Sequence, residues 1–400
     1  MTRSRTSLAL FSVAIIAIGL NLRPALATIG PLLDDMQAHT GLSNTAASLL
    51  TTIPVILMGV FGLLAARLRM LFGVSRGILI GLIAIALACA ARVIHPQSFS
   101  LILTAIVAGF GIALVQALLP VLIRQRYASK AGSAMGFYTT AIMGGALIAG
   151  VSAPHIATLS DWTIALSVWA LPALLAVALW WMVWPAEPVS VPSTAEVSSS
   201  LLRLPRAWLL MVFFGLGTGA YALVLAWLPP YYTALGWSPA QAGSLLGVVT
   251  LSEVCVGLAV SAWIDRIRDR RIALYAAISS LLISLILLIT IPIAAAWPMA
   301  VMLGFGIGAL FPLSLIVAMD HADSPQRAGE IVAFAQGGGY ILAALFPFIA
   351  GIVRQQFSDL TGAWIFMALA SLVMFAIARR FSPDDCHLRP RQSPRQSTRQ

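Results

Sequence analysis

Charge is what this sequence has least of. Only 10% of its 400 residues are Asp, Glu, Lys or Arg, whereas 60% are hydrophobic. With a mean hydropathy of +0.94, the chain has too few polar residues to coat a set of soluble domains, so that class is excluded. Cysteine is scarce too. Cys89, Cys255 and Cys386 stand far apart and match neither a CxxC pair nor a Cys/His ligand spacing, which excludes a disulfide framework and a structural zinc site. His39, His95 and His155 have no neighbour at metal spacing. There is no HExxH motif and no glycine-rich loop ending in Lys-Ser or Lys-Thr. A chain that is not an enzyme, uses no cofactor and hydrolyses no nucleotide is expected.

What is present is length without charge. A bilayer core about 30 Å thick requires roughly 20 apolar residues per helix, and twelve such segments can be counted between short polar breaks, the first over 7–33 and the last over 361–379. The N-terminus begins as a signal peptide does, basic and then apolar. Its apolar run continues to Leu33 without a small-residue cleavage site, so it is expected to remain as the first span. The all-α, polytopic membrane protein this implies divides at "PAEPVSVPSTAEVSSSLLRLP", a segment with no helical period. The expected organisation is an N-terminal six-helix bundle over 1–184, a cytoplasmic linker over 185–205, a second six-helix bundle over 206–380 and a basic disordered cytoplasmic tail over 381–400.

Basic residues set the orientation. With the N-terminus inside, every Lys and Arg other than Arg23, Arg92 and Arg354 falls on the cytoplasmic side, with Arg92 and Arg354 outside and Arg23 within the membrane. Both termini are therefore expected in the cytoplasm. The formal charge of +10 points to anionic lipid at that face, with no nucleic-acid partner.

The two halves echo each other. "GFGIALVQALLP" from Gly109 returns as "GFGIGALFPLSL" from Gly304, "AGSAMGF" from Ala131 as "AGEIVAF" from Ala328, and "GLSNTAASLL" from Gly41 as "GWSPAQAGSLL" from Gly236. The offset is nearly constant and each match falls on the same relative helix. Two copies of a six-helix unit are the arrangement of a rocking secondary transporter, with its site near the midplane between them.

These residues carry a family resemblance. The chain resembles the major facilitator superfamily, and within it the cyanate permease and nitroimidazole exporter group, through "GLNLRPALATIGPLL", "LLTTIPVILMG", "YALVLAWLPPYY" and "GALFPLSLIVAMDHA". The superfamily loop signature is similar to "SAWIDRIRDRR", where Asp265 and Arg266 take the Asp-Arg positions of a gating loop. After the second span, "GLLAARLRMLFG" has Ala66 in place of the usual Asp. The resemblance implies a monomeric inner-membrane carrier of a small polar or anionic solute such as cyanate. The alternative is a proton-coupled exporter of small heterocycles such as nitroimidazoles.

Within the spans, polar residues are few. Arg23 costs at least about 2.5 kcal/mol to insert at mid-helix, so it should face a wet cavity or a partner. Pro24 removes the hydrogen bond to the Leu20 carbonyl and predicts a kink beside the charge. Either Arg23 holds a substrate anion with its forked donors, or it pairs with Glu253, the acid within span eight. From the inner ends of their helices the two lie roughly 22 Å and 14 Å deep at about 1.5 Å per residue, so a direct pair needs side-chain reach. Glu253 is also the candidate for proton coupling. Asn21, Gln116, Tyr221, Gln336 and Tyr340 complete the expected substrate-binding set. Trp227 is expected in the interfacial aromatic belt with Tyr231 and Tyr232.

Overall fold

The computed structural model describes residues 2–382 apart from 95, 128–130, 185–198, 268 and 323. Most of the expected linker and nearly all of the expected tail lie outside the described residues. Twelve helices are long and apolar enough to cross a membrane. They are α1 (Ala9–Thr40), α2 (Asn44–Leu63), α3 (Val74–Ile94), α4 (Ser98–Tyr127), α5 (Ser133–Leu159), α6 (Trp162–Val183), α7 (Pro205–Ala234), α8 (Pro239–Trp263), α9 (Arg270–Thr290), α10 (Ala296–Asp320), α11 (Arg327–Phe357) and α12 (Thr361–Ala378). Among the described residues there is no strand. This follows from a bilayer in which each backbone group must be satisfied inside its own helix.

The sequence echoes mark structural joints. Gly41 and Gly236 adopt positive φ, +66° and +92°, where a side chain would be strained. Each follows the end of one helix, and the serine two residues on caps the next: Ser43 accepts from the Ala46 amide, and Ser238 forms a capping box with Gln241. The glycine pairs on α4 and α10 serve packing. A Cβ on Gly109 would stand 2.7 Å from the Pro54 Cα of α2, and one on Gly111 would stand 2.9 Å from Ile85 of α3. In the second half a Cβ on Gly304 would meet Ser252 of α8 at 2.7 Å, and one on Gly306 would meet the Leu281 nitrogen of α9 at 2.8 Å. In both copies, the first glycine admits the second helix of the repeat and the next admits the third.

Between the halves, α2 packs on α11 and α5 on α8, the two pairings that the repeat exchanges, with α1 against α7 at the centre. Outward-facing residues such as Leu87, Leu171 and Leu369 are exposed and form the lipid-facing belt. Three polar contacts join the halves at one end. Asp34 on α1 accepts from Thr233 of α7 and pairs with Arg354 of α11 at 3.5 Å, and the Asn44 amide of α2 donates to Gln355 at 2.8 Å.

Two expectations require correction here. Arg92, in the last turn of α3, does not stand in water: it is 2% exposed and its guanidinium is engaged inside the N-terminal half. Trp227 does not reach the lipid interface. It is buried, its Nε1 donates to the Pro347 carbonyl at 2.9 Å, and the Arg354 guanidinium lies 5.5 Å above its ring. In both cases a neighbouring half-helix covers a residue that linear distance from the span end places near water.

Candidate functional site: a cavity around Arg23

The first span is not one helix. Its opening helix ends at Asn21, Arg23 begins a single turn over Pro24–Ala27, a 3-10 turn follows over Gly30–Leu32, and the helix resumes over Leu33–Thr40. The cause is local. Pro24 offers no amide to the Leu20 carbonyl, and the chain restarts with proline at the first helical position, where its fixed φ is favourable. The break turns the Arg23 side chain into the space between the halves.

That space is a tight cavity of about 10 Å³, room for about one water molecule, lined by Arg23 and Leu26 of α1, Thr51, Val55 and Met58 of α2, Thr218, Tyr221, Ala222 and Leu225 of α7, and Tyr340 of α11. Arg23 is 4% exposed. Its Nη1 approaches the Met58 sulfur at 3.6 Å and its Cζ lies 5.5 Å from the centre of the Tyr221 ring. A cation over an aromatic face recovers part of the desolvation cost, and a thioether is a weak acceptor. Nε of Arg23 has no protein partner, and neither do the buried Tyr221 hydroxyl and Thr218 Oγ1. Among the described residues no carboxylate lies within ion-pair distance of Arg23.

Glu253 is buried on α8, where the backbone of α10 crosses it. A Cβ on Gly308 would stand 2.6 Å from the Glu253 carbonyl oxygen. The carboxylate is in electrostatic range of Arg23 and Tyr221 but makes no ion pair, and its Oε2 lacks a protein partner. The direct Arg23–Glu253 pair that the sequence left open is thus not formed in this state.

The remaining candidates separate. Tyr221 and Tyr340 meet Arg23 in the cavity, and the Tyr340 hydroxyl interacts with the guanidinium. Asn21 does not line the cavity; its amide donates to the Ala17 carbonyl at 2.7 Å and to Pro172 of α6 at 3.0 Å, tying the end of the opening helix to its neighbour. Gln336 lies one turn before Tyr340, outside the lining. Gln116 is also outside it, with its Oε1 buried and unpartnered. The side chain of Asp265 lies outside the described part of its 3-10 turn. Arg266 is exposed over Trp263 at 5.7 Å, while the adjoining Arg270 pairs with Asp320 at 3.2 Å.

Sequence reasoning missed Thr51, Met58 and Thr218, which line the cavity, and Tyr138 of α5, which is buried in electrostatic range of Arg23 with an unpartnered hydroxyl. The signal available was "LLTTIPVILMG", where Pro54 and two threonines interrupt an otherwise apolar span.

A sequence profile of the Major Facilitator Superfamily matches residues 9–347. The chain is 36% identical over 372 residues to the cyanate transport protein CynX of Escherichia coli (strain K12), covering 93% of this chain and 97% of that one. It is 29% identical over 364 residues to a 2-nitroimidazole transporter of the same organism, covering 90% and 92%. Among solved structures it superposes on a D-xylose–proton symporter with a TM-score of 0.78 at 16% identity, covering 94% of this chain and 98% of that one, and on the nucleoside transporter NupG with a TM-score of 0.74 at 13% identity, covering 92% and 99%. With its twelve membrane-length helices, its repeated halves and the cavity between them, the chain is a multi-pass membrane transporter that belongs to the major facilitator superfamily.

Proposed function

We propose that this transporter carries a small monovalent anion of the size and shape of cyanate, by alternating access, with Arg23 as the cation that holds it. One observation carries the reading: a buried guanidinium without a carboxylate partner opens on the cavity between the halves. A buried cation left unpaired is costly, and a small anion removes that cost where a neutral solute does not. The forked N–H groups of Arg23, with Thr218 and Tyr221, supply donors for two ends of a short linear anion. The relationship to a cyanate transport protein at 36% identity supports the same substrate class.

The proposed setting is the bacterial inner membrane with both termini cytoplasmic, which makes the end closed by Asp34, Thr233 and Arg354 the outer one. The test is cyanate uptake into proteoliposomes, with Arg23→Ala and Arg23→Lys reconstituted at equal protein. Removing one partner of a buried charge pair costs about 2–5 kcal/mol, so Arg23→Ala should lose at least about 30-fold in cyanate affinity. Transport by Arg23→Ala at the wild-type rate and affinity would falsify the reading.

A second reading has its own support. The tyrosine rings and the apolar Leu26, Val55 and Leu225 suit a flat heterocycle, and one relative is a 2-nitroimidazole transporter. Ligand-dependent thermal shifts distinguish the two: stabilisation by 2-nitroimidazole and not by cyanate, unaffected by Arg23→Ala, favours the heterocycle.

A further inference from the structure

In an unbroken helix the Ala25 carbonyl accepts from the Ile29 amide. Here the Ile29 amide bonds to Leu26 at 3.2 Å as the chain tightens toward its 3-10 turn. The Ala25 oxygen is taken instead by Nη1 of Arg92, in the last turn of α3, at 3.0 Å. Nε of the same guanidinium donates to Thr104 Oγ1 of α4 at 3.3 Å, and the Thr104 hydroxyl donates in turn to the Leu101 carbonyl at 2.8 Å. A chain of hydrogen bonds thus runs from α4 through Arg92 to the broken turn of α1. On its other side that segment is seated against α7, where a Cβ on Gly30 would stand 2.7 Å from the Leu225 carbonyl oxygen.

Arg92 is a fully desolvated cation whose hydrogen-bond acceptors are neutral and, among the described residues, no carboxylate lies within ion-pair distance of it. Such a charge is expensive to bury, and a neutral amide could satisfy one carbonyl at lower cost. What an arginine adds is a rigid fork that reaches two helices at once and a positive charge beside the turn that presents Arg23.

We propose that Arg92 is the positioning residue of the anion site. It pins the Pro24–Ala27 turn through the Ala25 carbonyl, two residues from Arg23, so that the Arg23 guanidinium projects between α2 and α7. Its charge adds to the positive potential there without touching the solute. This rests on the reading of Arg23 as the anion-binding cation.

The test measures cyanate, nitrate and thiocyanate dissociation constants of the purified full chain, together with hydrogen exchange of residues 24–33. The variants are Arg92→Met, Arg92→Lys, Thr104→Val and Arg23→Ala. Arg92→Met should weaken anion binding at least about tenfold through misplacement of Arg23 and speed exchange in 24–33, with Arg92→Lys recovering part of the affinity. A purely structural role lowers the melting temperature of the empty protein and leaves the dissociation constant unchanged; that result, with binding lost in Arg23→Ala, overturns the proposal. If Arg92→Met does not fold, Thr104→Val decides: weaker binding upholds the proposal, whereas unchanged binding and exchange overturn it. If the wild type binds none of the three anions, the Arg23 reading falls. Arg92 is then judged by exchange alone, where faster exchange in 24–33 without a change in α4 upholds the pin and unchanged exchange overturns it.

Discussion

Substituting Gly145 by alanine tests whether the break in α1 is held in place by its neighbours. Gly145 lies on α5 directly against the Leu20 carbonyl, the group that Pro24 deprives of its amide donor. A Cβ there would stand 2.8 Å from the Leu20 carbonyl carbon and 3.1 Å from its Cα. The Leu20 carbonyl oxygen would be overlapped outright, and with carbon atoms preferring about 3.5–4.0 Å the two helices must part locally by about 1 Å. Both sides of the clash are backbone, so no side-chain rotation relieves it. Overpacking of this kind costs about 1–3 kcal/mol, and an ~1 Å displacement of a binding group three residues away can cost up to about 100-fold in rate. Gly144, next along the chain, is an internal control, because a Cβ there meets nothing closer than the flexible Leu20 Cδ2 at 3.5 Å. Melting temperature in detergent and anion uptake in proteoliposomes should fall together for Gly145→Ala and stay near wild type for Gly144→Ala. Equal behaviour of the two variants refutes the idea that the α1–α5 approach sets the position of Arg23.

Other outcomes follow from the same geometry. His321, just beyond α10, is held neutral because burial, with Arg206 nearby, lowers its pKa from the usual 6.5 against the opposing pull of the Val317 carbonyl and Asp320. Its unfolded form therefore binds the proton more readily, and the contribution to stability is complete above about pH 6.5 and is lost as pH falls toward the lower folded value; thermal melts between pH 5 and 8 should show this slope in wild type and a shallower one in His321→Gln. Asp34→Asn weakens the closed end by about 1 kcal/mol, a roughly fivefold shift toward opening, so labelling of Leu225→Cys in a Cys255→Ser, Cys386→Ser background should accelerate. In Glu253→Gln, anion uptake should lose any response to an imposed pH gradient while counterflow of anion persists; a wild type indifferent to the gradient and to an uncoupler removes Glu253 from proton coupling.

The spans and the break at Pro24 were legible because they depend on local facts: apolar length, a missing amide and the capping residues Ser43 and Ser238. The tertiary use of each polar residue was not. Arg92 sits near the end of a span beside "HPQS", and linear distance places it at the water. Its burial is decided by the Ala25 carbonyl, which becomes available only because another helix is broken. Asn21 is expected at the cavity because the first span lines it in the fold that the chain resembles, yet the opening helix ends at Asn21 and sends its amide to Pro172 of α6. Met58 carries no polar signature at all, and its contact with Arg23 comes from α2 crossing the break.

The relation between Arg23 and Glu253 is where these facts meet. A permanent ion pair would satisfy both groups and leave the cavity neutral, and an arriving anion would then have to break the pair before gaining anything. Held apart, as they are here, the guanidinium Nε, the Tyr221 hydroxyl and Thr218 Oγ1 all remain buried without a protein partner. Each unmet group costs about 1–3 kcal/mol, and the fold withholds the partners that would remove the cost. On the proposed reading an anion supplies those partners in a single step, so binding energy would appear only with the charged solute inside, which favours closing around it over closing empty. A cation meets repulsion in the same place, and a neutral solute leaves the charge unsatisfied. Selection by charge would then follow from what the site lacks, and the proposed pin at Arg92 would keep the Arg23 side chain from swinging to Glu253.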